Sequence, residues 1–204
     1  DMTDDLPAYL AHWERLGLEF EAVYTGFLGA PRQAALLEPF LLRQMAAGAL
    51  CLVDPAMADH GRLYATCTPT LVEAMKRLVA LAGVTTPNVT EACLLTGTDY
   101  DAVTALPVAE QRVALCQIGA RLRALGCDTV VITGVPEEAG AVGNLIVDAT
   151  YPEGTVVSSR RVSRNFAGTG DVFSAVLCGS LLQGQTAVDA VRRAADFVYT
   201  ALVC

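Results

Sequence analysis

Positive charge is scarce in this chain: 14 Lys and Arg stand against 22 Asp and Glu, a net charge of −8. No basic run exceeds Arg160-Arg161. That argues against nucleic acid bound through a general electrostatic footprint. It leaves room for a small anionic ligand, because helix N-termini and a bound cation can hold phosphate without a basic surface. No apolar run approaches the roughly 18–20 residues that span a bilayer, so no membrane partner is expected. Several signatures are missing. Without a Gly-x-x-x-x-Gly-Lys-Ser/Thr motif a P-loop NTPase is excluded. No Gly-x-Gly-x-x-Gly follows a strand and no Gly-x-Ser-x-Gly elbow occurs, which leaves dinucleotide and α/β-hydrolase chemistry unsupported. No Cys-x-x-Cys pair exists, and His12 and His60 are the two histidines. The seven cysteines therefore read as core residues of a reducing, cytoplasmic compartment; Cys51, Cys93, Cys116 and Cys178 lie in apolar stretches.

What is present is a globular composition. The 204 residues are 53% hydrophobic and 18% charged, enough for one sizeable domain. The start, Asp1-Met2-Thr3-Asp4-Asp5, is acidic and shows no signal peptide. It is not a Met, so the expected N-terminus lies upstream.

Apolar periodicity predicts helices over 5–16, 32–47, 69–81, 107–125, 171–182 and 187–202. Strands are predicted over Phe20–Thr25, Ala49–Asp54, Val84–Thr86 and Thr129–Thr133, and a hairpin over Asn144–Asp148 and Thr155–Val162. This alternation predicts an α/β sandwich on a mainly parallel sheet, which gathers ligands at the carboxyl ends of its strands. His12 and Trp13 read as surface and packing residues, and His60 as a solvated loop residue.

Four segments carry chemistry. Gly168-Thr169-Gly170-Asp171 opens a helix. It reads as an anion hole with a general base, or as a helix start whose Asp complements the macrodipole. Asp54-Pro55 ends a strand, and Asp59 follows; these carboxylates suit Mg²⁺, or an ordinary Asp-Pro turn and loop. Asn88 with Glu91 reads as a capping box, or as a pair facing metal-bound phosphate. Thr133-Gly134 ends another strand; its hydroxyl suits a phosphate oxygen or a monovalent cation, or is a satisfied edge threonine.

In order along the chain, Tyr24-Thr25-Gly26-Phe27-Leu28-Gly29, Asp54-Pro-x-Met-x-Asp59-x-Gly-x-x-Tyr64, Thr86-Pro-Asn88-x-x-Glu91-x-x-x-Leu-Thr-Gly97, Val131-Ile132-Thr133 and Gly168-Thr-Gly-Asp171 resemble the pyridoxal kinase family of the ribokinase-like superfamily. The resemblance covers nearly the whole chain. It implies a three-layer ribokinase-like sandwich and ATP-dependent phosphorylation of the 5′-hydroxymethyl group of pyridoxal, pyridoxine or pyridoxamine. It implies Asp171 as base and Gly168, Thr169 and Gly170 as the anion hole. Asp54, Asp59 and Glu91 would attend the metal, with Asn88. Tyr64, Thr86, Thr133, Gly134 and Phe173 would attend the nucleotide, and Phe27 the B6 ring beside Asp171. ATP, Mg²⁺ and a monovalent cation such as K⁺ are the implied cofactors, and the full-length protein is expected to be a homodimer.

Departures from the family pattern are Ala58 for a usual Gly, Gly134 for a frequent Ser and Phe27 for a common Tyr. Residues 1–204 are expected to form one kinase domain that lacks the family's N-terminal strands and lid, and members also continue past Cys204. Two other readings stand beside this one. The first is another ribokinase-like kinase, for hydroxymethylpyrimidine or a sugar, against which Asp59-x-Gly-x-x-Tyr64 argues. The second is a non-catalytic B6- or nucleotide-binding homologue.

Overall fold

The computed structural model describes residues 2–138, 141–162 and 166–203. Its elements run α1 (Leu6–Arg15), β1 (Ala22–Thr25), α2 (Pro31–Ala46), β2 (Leu50–Val53), β3 (Ala58–Asp59), β4 (Arg62–Leu63), α3 (Pro69–Leu81), β5 (Val84–Thr85), α4 (Val89–Thr96), α5 (Tyr100–Thr104), α6 (Val108–Ala124), β6 (Thr129–Pro136), β7 (Ala141–Val147), β8 (Thr155–Arg160), α7 (Thr169–Leu182) and α8 (Ala187–Val203). The main sheet has the order β1-β2-β5-β6-β7-β8. The first four strands are parallel, and β7 and β8 extend the sheet antiparallel. The carboxyl ends of β1, β2, β5 and β6 therefore share one edge.

Strand alternation sorts the core into two halves. Cys51 and Val53, Val130 and Ile132, and Leu145 and Val147 point to one face, where they pack with Leu41, Met75, Cys93 and Leu115 from four helices. Leu52, Val131 and Ile146 point to the other, against Leu177 of α7 and Val191 of α8. Burial on both faces is why these strands read as unbroken apolar runs. The result is the α/β sandwich expected from the sequence.

Local chemistry sets the helix starts. Thr68 caps α3, accepting from the Leu71 N–H at 3.3 Å, and Pro69 occupies the first turn. The stripe Leu71, Met75, Leu78 and Ala82 is buried as the periodicity predicts. Trp13 packs edge-on against Phe20 at 5.6 Å between centroids, which ties α1 to the body of the domain. Cys51, Cys67, Cys93, Cys116, Cys127 and Cys178 are free thiols, and Cys204 lies outside the described residues. Burial pushes Cys51 and Cys93 up to about 11 and Cys127 up to about 12, so they sit in the core as neutral thiols.

Two expectations need correction. Residues 55–64, read as a loop, contain the hairpin β3–β4. Its two-residue turn, His60-Gly61, has positive φ at both positions (49° and 75°), as the right-handed strand twist favours. The strand predicted to stop at Thr133 continues to Pro136 past an irregularity between Ile132 and Val135. Gly134 sits there at φ 72°. The glycine thus suits a left-handed backbone position, and the missing hydroxyl is only half of its meaning. Ala58 is not among the positive-φ residues, so replacing a glycine there costs no strain.

The turn after α6 is tightly constrained. Gly126 has φ 133°, and a Cβ there would lie 2.3 Å from the Ala80 carbonyl oxygen. Gly126→Ala must displace the backbone of the last turn of α3. We expect a loss of about 2 kcal/mol, read as a Tm drop of about 4–8 °C by calorimetry. An unchanged Tm would show that the two turns separate freely.

Candidate active site

Parallel pairing extends one residue beyond the strands and brings the polar groups together. The Asp54 N–H donates to the Thr25 carbonyl at 2.8 Å, and the Thr86 N–H to the Val53 carbonyl at 3.2 Å. Asp54 is thereby held just past β2 and Thr86 just past β5, both buried. Ser174, one turn into α7, joins them: its Oγ lies 2.8 Å from Thr86 Oγ1 and donates to Asp54 Oδ2 at 3.2 Å. From the end of β1, Tyr24 places its hydroxyl 3.5 Å from both Asp54 Oδ2 and Asp171 Oδ1. Four sequence-distant elements thus converge on two carboxylates.

Burial separates those carboxylates. Burial pushes Asp54 up to about 6, and the charge of Asp171 adds to the rise, against hydrogen bonds from Ser174 and Tyr24. Asp171 is exposed in the first turn of α7. Burial, with Asp54 and Asp171 nearby, drives the Tyr24 phenol well above its ordinary range, so it stays protonated as a donor. Gly168 is the N-cap of α7 at φ 83°, and no side chain caps the helix. Its first-turn N–H groups and dipole therefore face outward beside Asp171. That arrangement can cradle an anion with a carboxylate beside it.

A cleft of about 530 Å³ opens alongside. Of the residues singled out from the sequence, Asp59, Asn88, Thr133, Gly134, Thr169, Gly170 and Phe173 line it. Asp54, Tyr64, Thr86, Glu91, Gly168, Asp171 and Phe27 do not. Gly170 joins the two regions: it lines the cleft, and a Cβ on it would lie 3.9 Å from Asp54 Oδ2. Val198 and Tyr199 of α8 form an apolar wall with Phe173, and the Arg160 guanidinium lies 5.9 Å over the Tyr199 ring. His60, read from the sequence as solvated, is exposed yet lines the cleft beside Asp59, its Nε2 3.5 Å from that carboxylate. Phe27 and Tyr64 are 52% and 42% exposed and stand apart from the cleft. A more open depression of about 690 Å³ along α8, from Gln185 to Thr200, holds none of the predicted residues.

The capping box at α4 is complete. The Glu91 N–H donates to Asn88 Oδ1, and the Asn88 N–H to Glu91 Oε2, each at 2.9 Å. Glu91 Oε1 also accepts from the N–H groups of Met57 at 3.0 Å and Ala58 at 3.3 Å. Burial pushes this carboxyl up to about 8 against the pull of those donors. Among the described residues, no group of three or more His, Cys, Asp or Glu is placed to hold a metal ion. No helix among them is long and apolar enough to cross a membrane.

Sequence reasoning missed the roles of Tyr24 and Ser174. Ser174 follows Asp171 by three residues, the spacing that shares a helix face, and was the findable one. Tyr24 is placed by contacts with Asp54 and Asp171 that are distant in sequence and leave no local signal.

Comparison with known proteins adds the family. The phosphomethylpyrimidine kinase family matches residues 15–204. A pyridoxine/pyridoxal/pyridoxamine kinase of Bordetella avium is 33% identical over 189 residues, covering 90% of this chain and 60% of that protein. The chain thus spans about 60% of the length of this curated relative. A hydroxymethylpyrimidine/phosphomethylpyrimidine kinase of Haemophilus influenzae is 27% identical over 154 residues, covering 74% of this chain and 54% of that protein. A Bacteroides thetaiotaomicron protein assigned to the phosphomethylpyrimidine kinases and crystallised with pyridoxal superposes with a TM-score of 0.87 at 32% identity, over 98% of this chain and 68% of that one. With a match across nearly its whole length and this fold, the chain belongs to the phosphomethylpyrimidine kinase family, in the ribokinase-like group that includes the pyridoxal kinases.

Proposed function

We propose that the protein transfers the γ-phosphoryl group of ATP to the 5′-hydroxymethyl group of a B6 vitamer. The observation that carries this is Asp171 in the first turn of an uncapped helix, with Tyr24 Oη 3.5 Å from its Oδ1. The Bordetella avium pyridoxine/pyridoxal/pyridoxamine kinase and the pyridoxal-bound relative support the acceptor.

The acceptor hydroxyl oxygen attacks the γ-phosphorus and forms the new P–O bond as the bond to the β-phosphate bridging oxygen breaks, releasing ADP. Asp171 takes the hydroxyl proton, and Tyr24 steadies the carboxylate that receives it. The first-turn N–H groups of α7 meet the charge on the transferring phosphoryl group. The cleft takes the nucleotide, with Phe173 and Tyr199 offering apolar surface to the base. Mg²⁺ would be held chiefly by nucleotide oxygens and water, with Asp54 and Asp59 as the available carboxylates, and would neutralise phosphate charge. That division fits a chain whose described residues form no protein cage for a metal.

Hydroxymethylpyrimidine is the second reading, favoured by the family's name and the Haemophilus relative. ADP release by the full-length protein, measured in parallel with pyridoxal, hydroxymethylpyrimidine and ribose, separates them. We expect kcat/KM for pyridoxal to exceed the others by about tenfold or more, the discrimination that one pocket contact gives. Faster turnover of hydroxymethylpyrimidine would reverse the order. Binding of pyridoxal and ATP without ADP formation would make the protein a non-catalytic homologue.

A further inference from the structure

We infer that Glu91 is a positioning residue that pins the β3–β4 hairpin over the nucleotide cleft, and that it is not a direct metal ligand. The inference rests on the phosphotransferase reading for the cleft's occupant, though not for the geometry. A carboxylate offers about four lone-pair sites. Three of those on Glu91 are taken by backbone N–H groups: Met57 and Ala58 on Oε1, Asn88 on Oε2. The side chain is 2% exposed. Little of it is left to offer an ion.

Its partners show what it does instead. Met57 and Ala58 lead into the first strand of the hairpin, and Asn88 Nδ2 donates to the Ala58 carbonyl at 2.8 Å. Thr90 Oγ1 accepts from the N–H of Gly61 in the hairpin turn at 3.0 Å. Three residues at the start of α4 thus hold both ends of the hairpin. The hairpin needs them, because strands of two residues each have no stability of their own. The hairpin brings Asp59 and His60 to the cleft. The opposite wall shares the same anchor: Thr133, at the end of the parallel part of β6, donates its N–H to the Pro87 carbonyl at 2.9 Å. Glu91 therefore fixes the hairpin wall relative to the strand-end wall.

The test compares Glu91→Gln and Thr90→Val with the unaltered full-length protein. Three quantities are read: amide hydrogen exchange of residues 57–64, the Kd for ATP by calorimetry, and the Mg²⁺ concentration giving half-maximal turnover at saturating ATP. Gln turns an NH₂ toward backbone donors, so one side of the clasp is lost. The expected results are exchange in 57–64 faster by about tenfold, an ATP Kd raised by a similar factor and an unchanged Mg²⁺ requirement (tenfold being 1.4 kcal/mol of opening free energy). Thr90→Val, which touches no carboxylate, should move exchange and Kd in the same direction by a smaller factor. A raised Mg²⁺ requirement with unchanged exchange would overturn the inference. Should Glu91→Gln fail to fold, Thr90→Val decides: unchanged exchange and Kd overturn the inference, and a shift in both supports it. Exchange needs no turnover, so this outcome stands apart from any failure of the kinase reading.

Discussion

Asp171→Asn is expected to lower kcat by about 10²–10⁴-fold while ATP binding is largely retained. Asn keeps the size of the side chain and an oxygen for Tyr24, and removes the proton acceptor alone. The residue is exposed in the first turn of α7, so no buried donor is orphaned and the fold should be undisturbed. Asp171→Ala should be at least as damaging to turnover. Single-turnover measurements with bound ATP separate the chemical step from binding, and calorimetry reads the Kd directly. Turnover of either variant close to wild type would remove the base assignment. A large loss of ATP affinity with an unchanged chemical step would move Asp171 from proton transfer to nucleotide binding.

Asp54→Asn should move stability and activity in opposite directions. Burial raises the Asp54 pKa from 3.8 to about 6. The folded chain therefore holds this proton more tightly than the unfolded chain does. The associated stability is fully present below about 4 and is lost as pH rises through about 6. Above that, the buried charge is a standing cost. A shift of about two units at 1.36 kcal/mol each sets an upper scale of about 3 kcal/mol, and relaxation brings the expected gain to about 1–3 kcal/mol. Urea unfolding at pH 7.5 should thus show the Asn variant as the more stable protein, the difference shrinking as pH falls from 6 toward 4. Activity should fall by about 10–100-fold, because the carboxylate that Ser174 and Tyr24 donate to, and that the proposed function offers to the metal, is gone. A variant that is less stable at pH 7.5 would mean that the Ser174 and Tyr24 hydrogen bonds outweigh the burial penalty.

The layered fold was legible because its signals are local. Thr68-Pro69 followed by Leu71, Met75 and Leu78 declares a capped helix with one apolar face. Val130-Val131-Ile132, buried on both sides, declares an interior strand. Strand direction was less legible: β7 is apolar like β6, and the chain between them, not composition, makes it antiparallel. The β3–β4 hairpin escaped because two residues per strand leave no alternation to read, and its signal was confined to His60-Gly61. In the site, the strand-end residues Asp54, Thr86 and Thr133 and the α7 turn could be placed, since parallel strands share an edge. The partners of Glu91 could not, because the N–H groups of Met57 and Ala58 have no signature in sequence. Tyr24 acquires its role only across a pairing with Asp171.

That pairing also bears on how the protein comes to be. Tyr24 and Asp171 are 147 positions apart. During synthesis Tyr24 leaves the ribosome long before Asp171 has been made, and the strands nearest it can pair only through crossovers, the slow class of contact. Closing so long a loop costs little more entropy than closing one of half the length, so the delay is topological rather than energetic. The cluster of Tyr24, Asp54 and Asp171 can close only after the start of α7 has been made. A nascent chain that ends before α7 carries Asp54 and Tyr24 without Asp171 beside them.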